Sequence, residues 1–569
     1  MMRLASFPTA ALVSSLSFGM SAANTSPLPG PRDSTKGKGK LVNITIDSQY
    51  KTKISPWIFG ANIIGSFKDV DDDMNLTFFR LGGNRLSAYN WENNYSHAGS
   101  DYNYQNDLWL CGVFNANCDE PGGVVTAFVE KAFANRASAV LLTIPILDHV
   151  AYKKTRGDVC LTKPTKDWQC PNRDHYKESF RQSKPKKDGP LSLKPNKDDA
   201  YVYQDEFVNW VKNRFKNHLS QGKKIFYSMD NEPGLWGATH NRVRPGGKYC
   251  EHNPSYPELL KRNIDYARAV KLNMKDSLVF GPAHYGWLGM KTLQNFASCS
   301  GDGGTPFYKY YMEGVRRAAG KQKSLVDVYD FHWYPEVRSN GKKGQRITGK
   351  ATDKDTVVAR VQAARSYWDP QFDEKSWISQ DDLRSPVRLL PRVQSWIAQY
   401  NPGMGIAITE YTLGGEDHIS GAIAQVDALG SFAREGVFAA SFWPLAPRGS
   451  TSKYIRAAFK MFRNYDGKRS TFGDQMISAI SDQVDKVAVY ASTHSKDPKK
   501  LVLILINKSF KVQSTRITLN HKHSFKAANI FTLTEKSTEP EKSQKNLKKG
   551  TKTHLFDIPP MSVSTIELQ

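Results

Sequence analysis

Short runs rich in aliphatic, β-branched and aromatic residues recur eight times along this chain, and most are separated by segments with helical periodicity. The runs are Trp57–Ile63, Phe78–Asn84, Ala139–Ile146, Lys224–Asn231, Leu278–His284, Val326–Trp333, Gly405–Tyr411 and Val437–Trp443. Between them, Val124–Asn135, Asp205–Gln221, Tyr256–Leu272, Tyr308–Ala319, Leu389–Tyr400 and Ile423–Glu435 repeat apolar residues at intervals of three and four. Strand and helix alternating eight times predict an α/β chain folded as a (β/α)8 TIM-like barrel. No helix is evident between the first two strands, and residues 147–200, rich in Lys, Asp and Pro, read as an irregular loop.

After about residue 455 the pattern changes. Lys486–Ser492, Leu501–Asn507, Thr515–Asn520, Ala528–Leu533 and His554–Leu568 alternate or run apolar without helices between them, and Lys536–Thr553 reads as a polar loop. This predicts an appended C-terminal β-sandwich. The expected division is a catalytic barrel over 56–455 and a sandwich over 456–569. Residues 41–55 hold a strand that pairs with the sandwich, and 24–40 form a linker. Residues 1–23, with Arg3, an apolar run and Ser21-Ala22-Ala23, are expected to be a signal peptide for export.

Export permits disulfides. Of six cysteines, Cys111/Cys118 and Cys160/Cys170 have spacings that suit small closed loops, and neither is a zinc-knuckle spacing. Free buried thiols are the alternative. Asn24, Asn43, Asn75, Asn94 and Asn507 begin Asn-x-Ser/Thr sequons. No apolar stretch is long enough to span a membrane.

In such barrels reactive groups lie at the C-terminal ends of the strands. Strand two ends in Arg80-Leu81-Gly82-Gly83-Asn84 and strand four in Asp230-Asn231-Glu232-Pro233. Strand six ends in His332-Trp333-Tyr334, strand seven in Thr409-Glu410-Tyr411, and strand eight in Trp443-Pro444. Glu232 and Glu410 therefore face one mouth from opposite sides. Two such carboxylates can flank a glycosidic bond, one protonating the leaving oxygen and the other attacking the anomeric carbon. A structural ion pair with Arg80 is the plainer reading of Glu410, but it leaves Glu232 and Trp443 unexplained.

The stretch from Phe79 to Arg85, then Ala88-Tyr89-Asn90-Trp91-Glu92-Asn93-Asn94 and Ala98-Gly99-Ser100-Asp101, resembles glycoside hydrolase family 44. The resemblance covers about residues 41–569. It implies an endo-acting β-1,4-glucanase, active on cellulose-like glucans or xyloglucan, that retains anomeric configuration. Glu232, in Asn231-Glu232-Pro233, would be the acid/base. Glu410, in Ile408-Thr409-Glu410-Tyr411, would be the nucleophile, with the carboxyl groups about 5–5.5 Å apart. Asn231 could bond the substrate 2-hydroxyl, Arg80 hold Glu410 ionised, Tyr334 donate to Glu410, His332 act as a supporting hydrogen bonder, and Trp443 floor a sugar. Asn84 belongs to the strand-two motif. Trp91, Trp236, Trp287 and Trp333 are candidates for a stacking track. The plainer alternatives are a turn for Asn231, a buried pair with another acid for Arg80, and packing for Tyr334 and the Trp residues. The chain departs from the family in its Lys content and cysteine-bearing loops.

No cofactor is required by a two-carboxylate mechanism. Asp71-Asp72-Asp73 and Asp101 offer oxygen donors for a structural calcium, although their spacing is not that of an EF-hand. The net charge of +24 raises polyanions as partners, but Lys residues are scattered and no nucleic-acid motif is present. The expected partners are a β-glucan substrate and, through that charge, acidic wall polymers, with no nucleic acid; the protein is expected to be a monomer. The rival readings are a retaining glycosidase of xylan, mannan or arabinose side chains, and a polysaccharide-binding protein without catalysis. A metal-dependent barrel hydrolase lacks its convergent His and Asp ligands.

Overall fold

The computed structural model describes residues 41–63, 72–160, 170, 178–244, 253–294, 304–320, 324–445, 452–548 and 550–569. Eight parallel strands close into a barrel: Gly60–Ile63, Phe78–Leu81, Ala139–Ile144, Lys224–Met229, Val279–Tyr285, Val328–Trp333, Gly405–Tyr411 and Ala439–Leu445. Every run expected from the sequence supplies one strand. The third, AVLLTI, is buried at all its positions because helices cover its outer face and side chains fill the interior. Helices Gly123–Ala134, Gln204–Arg214, Tyr256–Asn273, Phe307–Ala319, Leu389–Tyr400 and Ile419–Arg434 ring the barrel.

The barrel interior is layered with a period of two residues. At the bottom, Phe78, Leu141, Phe226, Phe280, Val328, Ala407 and Ala439 form an apolar plug closed by Trp57 and Phe438. Two residues further along the same strands the interior becomes polar. Arg80, Thr143, Ser228, Asp330, Thr409, Ser441 and Asn62 lie there, all buried.

The C-terminal sheet has nine strands and its own core, built from Val42, Ile44, Leu503, Leu505, Ile517, Phe556 and Ile566 among others. Its first strand in sequence, Val42–Lys53, pairs antiparallel with Gln475–Ser481 and parallel with Gln513–Asn520. A barrel helix and the sheet meet at a buried ion pair, Asp427 to Lys508 at 2.7 Å.

Two expected loops hold strands. Ser537–Asn546 is an edge strand paired with Ala527–Thr534; with almost every residue solvent-facing, it has no apolar alternation to announce it. Within 147–200, His149–Ala151 and Phe180–Lys184 are strands, and Tyr201–Tyr203 just beyond completes a three-stranded sheet with them. The segment expected as one strand over His554–Leu568 is two, Thr553–Ile558 and Ser562–Leu568.

Disulfides join Cys111 to Cys118 and Cys160 to Cys170. Cys250, Cys299 and the expected signal peptide and linker lie outside the described residues. Asn94 and Asn507 are buried, so neither sequon is open to a glycan in the folded chain. No described helix is long and apolar enough to cross a membrane.

Candidate active site

The polar layer and the strand ends above it converge on two carboxylates. Arg80 is their organiser. It lies in the barrel interior, and its guanidinium donates to Glu410 Oε1 at 2.6 Å, Asn62 Oδ1 at 3.2 Å and Asn231 Oδ1 at 2.7 Å. The motif that follows serves this arrangement. A Cβ at Gly82 would collide with the Arg80 guanidinium. Gly83 has φ +93° and lies against the Trp443 indole, where a side chain would strike the ring.

Glu410 points inward because strand seven carries a bulge. Asp330 pairs with Ala407 and Phe331 with Ile408, but His332 pairs with Glu410, leaving Thr409 as the extra residue. Thr409 and Glu410 both turn into the barrel, the first donating to Asp330 at 2.8 Å. Tyr411 then faces outward and accepts a hydrogen bond from Gln425 on the helix behind. The second Glu410 oxygen accepts from the Tyr334 hydroxyl at 2.8 Å.

Glu232 stands on a strained turn. Asp230 and Glu232 both adopt left-handed backbone, φ +68° and +46°, which costs about 1–3 kcal/mol per residue. The turn is pinned by the buried Asp230 carboxyl, which accepts from the Ile146 and Asn231 backbone amides and from the Trp236 indole. The Glu232 amide donates to Ala283 carbonyl at 2.9 Å. His332 lies between the two carboxylates, its Nδ1 2.7 Å from Glu232 Oε1 and 3.4 Å from Glu410 Oε2. One atom from each of the three residues lies within 4.8 Å of the others.

Burial pushes the Glu232 carboxyl up to about 8, against the pull of Arg80. Burial lowers His332 to about 3, so it is neutral at working pH. Burial also lifts Asp330 to about 7 and Tyr334 well above the usual phenol range. The trio could in principle bridge a cation, but the Arg80 guanidinium already bonds Glu410, and three donors are fewer than a closed structural metal site uses.

The structure thus brings together Arg80, Asn231, Glu232, His332, Tyr334 and Glu410. Asn84 joins from behind: it accepts from Asn231 Nδ2 at 3.1 Å and donates to Asp101 at 3.0 Å. Trp443 borders the group, half-buried against Gly83. Trp91 does not reach the mouth; it is 1 % exposed and packs on Phe207 and Trp210. Trp236, Trp287 and Trp333 are likewise buried, at 0 %, 4 % and 1 %. Trp91 and Trp236 are consumed by the core, whereas Trp287 and Trp333, though buried, border a pocket beside Tyr334. The acidic early loops do not converge among the described residues: Asp73 pairs with Lys460 at 2.7 Å, while Asp101 is held by Asn84. Asp71 lies outside them.

Asn62, Asp330 and Thr409 join this network without having been singled out as site residues in the sequence. Asn62 does close strand one, and reading that strand end as the others were read would have found it. Tyr285, Trp287, Trp333, Tyr334, Arg346 and Trp377 line an open pocket next to this group.

Comparison with known proteins bears on this arrangement. Endoglucanase A of Paenibacillus lautus is 38% identical over 514 residues, covering 89% of this chain and 68% of that protein. The profile of glycoside hydrolase family 44 matches residues 95–337. The chain belongs to glycoside hydrolase family 44. Among solved structures, a family 44 xyloglucanase of Paenibacillus polymyxa with xyloglucan superposes with a TM-score of 0.83 at 33% identity, covering 93% of this chain and all of that one. The beta-mannanase/endoglucanase A of Caldicellulosiruptor saccharolyticus is 35% identical over 523 residues. The family 44 chain described here spans 37% of that protein's length. A glycoside hydrolase of this family accounts for a barrel mouth organised around two carboxylates.

Proposed function

We propose that this chain is a secreted, retaining endo-glycosidase that hydrolyses internal β-1,4-glucosidic bonds of cellulose-like glucans or xyloglucan. The observation that carries the reading is the division of labour between the two carboxylates. Glu410 accepts from a guanidinium and a phenol, which hold both of its oxygens in place for attack, whereas burial raises the Glu232 carboxyl to about 8, where it keeps a proton to give. One is equipped to attack and the other to give a proton. Their proximity suits double displacement, in which the carboxyl groups stand about 5–5.5 Å apart, rather than inversion, which needs about 6.5–9.5 Å to admit water.

In the first step Glu410 attacks the anomeric carbon while Glu232 protonates the departing oxygen. In the second, Glu232 takes a proton from water, which displaces the Glu410 ester. His332 Nε2 is buried without a partner, and a bare ring nitrogen is tolerated there better than an N–H. The hydrogen is therefore assigned to Nδ1, which donates to Glu232 Oε1 and leaves the acid's own proton on Oε2. Asn231 is fixed by Arg80 and Asn84, so its amide is oriented before substrate arrives and can bond the 2-hydroxyl. Trp443, against Gly83, offers an indole face to the adjoining sugar.

The glucan reading is supported by the relatives, whose names are those of endoglucanases and a xyloglucanase. Export is supported by the N-terminal sequence and by the disulfides. The test is to follow reducing ends, viscosity and product anomer by NMR on xyloglucan, carboxymethylcellulose, xylan and mannan. A rapid viscosity fall on β-1,4-glucan with initial β-anomer is expected. Initial α-anomer would overturn retention, and cleavage confined to xylan or mannan would overturn the substrate.

A further inference from the structure

Two side-chain amides at the active site stand in series between a group that can only donate and a group that can only accept. Arg80 donates to Asn231 Oδ1 at 2.7 Å. Asn231 Nδ2 donates to Asn84 Oδ1 at 3.1 Å, and Asn84 Nδ2 donates to the Asp101 carboxylate oxygens at 3.0 and 3.2 Å. A guanidinium has no acceptor and an ionised carboxylate has no donor. The two ends therefore allow one orientation of each amide. Turning either over would set N–H against N–H at one contact and oxygen against oxygen at the next. The same guanidinium bonds Glu410 Oε1 at 2.6 Å, so the chain runs unbroken from Glu410 to the exposed Asp101.

The Asp101–Asn84 contact is not what holds these two segments in place. The Asn84 main chain is fixed by His240, whose Nε2 donates to its carbonyl at 2.9 Å, and by the turn bond from the Leu86 amide to the Gly83 carbonyl at 3.0 Å. The segment that carries Asp101 has bonds of its own, from the Tyr104 amide to the Gly99 carbonyl at 2.9 Å and from the Ala98 amide to the Gln105 carbonyl at 2.8 Å. Arg85, whose charge reaches Asp101, is committed to Asp107 at 2.5 and 3.1 Å. Both backbones are thus set without the side-chain contact, and what Asp101 adds is direction to the two amides. Its charge is also felt at Glu232, where it acts with burial and against Arg80 to raise the carboxyl.

We infer that Asp101 is a positioning residue for the cleavage: through Asn84 it orients the Asn231 amide, so that the second N–H of that amide is presented to the 2-hydroxyl of the sugar at the cut. The inference rests on the proposed hydrolysis and deepens it. Asn231 Nδ2 carries two hydrogens, of which one is spent on Asn84 and the other is left for substrate. Without an acceptor at position 101, Asn84 is free to turn over and to withdraw its oxygen from Asn231. The Asn231 amide must then be ordered after substrate arrives, and a contact that strengthens in the transition state is weakened. The loss therefore falls on kcat rather than on KM.

The experiment compares the full chain with its Asp101→Ala, Asn84→Ala and doubly substituted variants. The substrates are an aryl β-cellotrioside and its analogue lacking the 2-hydroxyl of the sugar that carries the aryl group. Assays run at about pH 6, where Glu232 is protonated with or without the Asp101 charge. On the ordinary substrate Asp101→Ala should lower kcat about tenfold or more, with KM changed less than about threefold. On the 2-deoxy substrate, and on the ordinary one when Asn84 is already alanine, the same change should cost less than about twofold. Asp101→Asn, whose oxygen can still accept from Asn84, should lose less than Asp101→Ala. Thermal melting confirms that every variant is folded. Equal losses on the two substrates, or in the two backgrounds, would mean that Asp101 touches the sugar itself or acts through the fold, and would overturn the inference. So would an unchanged kcat. Turnover of the ordinary substrate by the unaltered chain tests the hydrolysis separately. Its absence would remove that reading and this inference together, whereas each of the other failures leaves the hydrolysis standing.

Discussion

The lower layer of the barrel, with Phe78, Phe226, Phe280 and Val328, and the layer two residues further along the same strands, with Arg80, Ser228 and Asp330, line one continuous cylinder. Both are buried, yet they are held by different means. The lower layer is stabilised by removing apolar surface from water and tolerates any shape that fills it. The upper layer costs desolvation at every polar group, and only a nearly complete set of hydrogen bonds offsets that cost. The comparison shows where one barrel separates stability from chemistry: stability sits in the plug, and chemistry in the network above it.

Substitutions can break that separation. The largest effect is expected from Glu410→Gln, which removes the nucleophile. It should lower kcat about ten-thousand-fold, with the melting temperature nearly unchanged because the amide still reaches Arg80 and Tyr334. Steady-state assays beside thermal melting check both halves. Phe226→Ala is the counterpart in the plug. It should cost about 3–5 kcal/mol in denaturant titration and leave kcat of the folded fraction close to wild type. A large fall in kcat there would mean the layers are coupled.

Proton linkage gives a third contrast. Glu232 is raised to about 8 by burial, so kcat/KM should fall about tenfold per pH unit above that value as the acid is lost. The same shift has a sign for stability. Between about pH 4.5 and 8 the folded state holds a proton that the unfolded state has released, so stability falls as pH rises through this window. Glu232→Gln should flatten that slope in part, because Glu92, raised to about 8, and Asp330, raised to about 7, contribute to it as well. Denaturation midpoints collected from pH 4 to 9 would show it, and an unchanged slope would place the linkage elsewhere.

The smallest expected effect is that of Tyr334→Phe. It deletes one hydrogen bond to a charged acceptor, worth about 1.5–3 kcal/mol, and Arg80 keeps the other Glu410 oxygen satisfied. A tenfold to hundredfold loss in kcat with unchanged KM would sharpen the view that the network positions Glu410 rather than the substrate.

The eight strands were legible because buried parallel strands read as apolar runs, as in AVLLTI, and because helical periodicity separates most of them. The strand-end reading found Arg80, Glu232, His332, Tyr334 and Glu410, since a barrel sends the ends of all its strands to one mouth. It failed with Trp91, whose place in a motif says nothing about which side of the backbone its ring takes. The periodicity reading failed over Lys536–Thr553, expected as a polar loop, where an edge strand exposed on both faces carries no pattern to read.

The order of strands and helices and the clustering of functional groups at strand ends were thus determined by the sequence alone, because hydrophobic periodicity is a local property that burial enforces. Tertiary structure decided the rest. The bulge at Thr409 turns Glu410 inward by shifting its register against strand six, which no residue of strand seven announces. The Arg80 network joins Asn62, Asn231 and Glu410 from three strands far apart in the chain. The ordinary carboxyl of Glu232 becomes an acid that holds its proton to about pH 8 only because folding removes its water. Register, long-range hydrogen bonds and desolvation all depend on what lies beside a residue in space, and the sequence lists only what lies beside it in the chain.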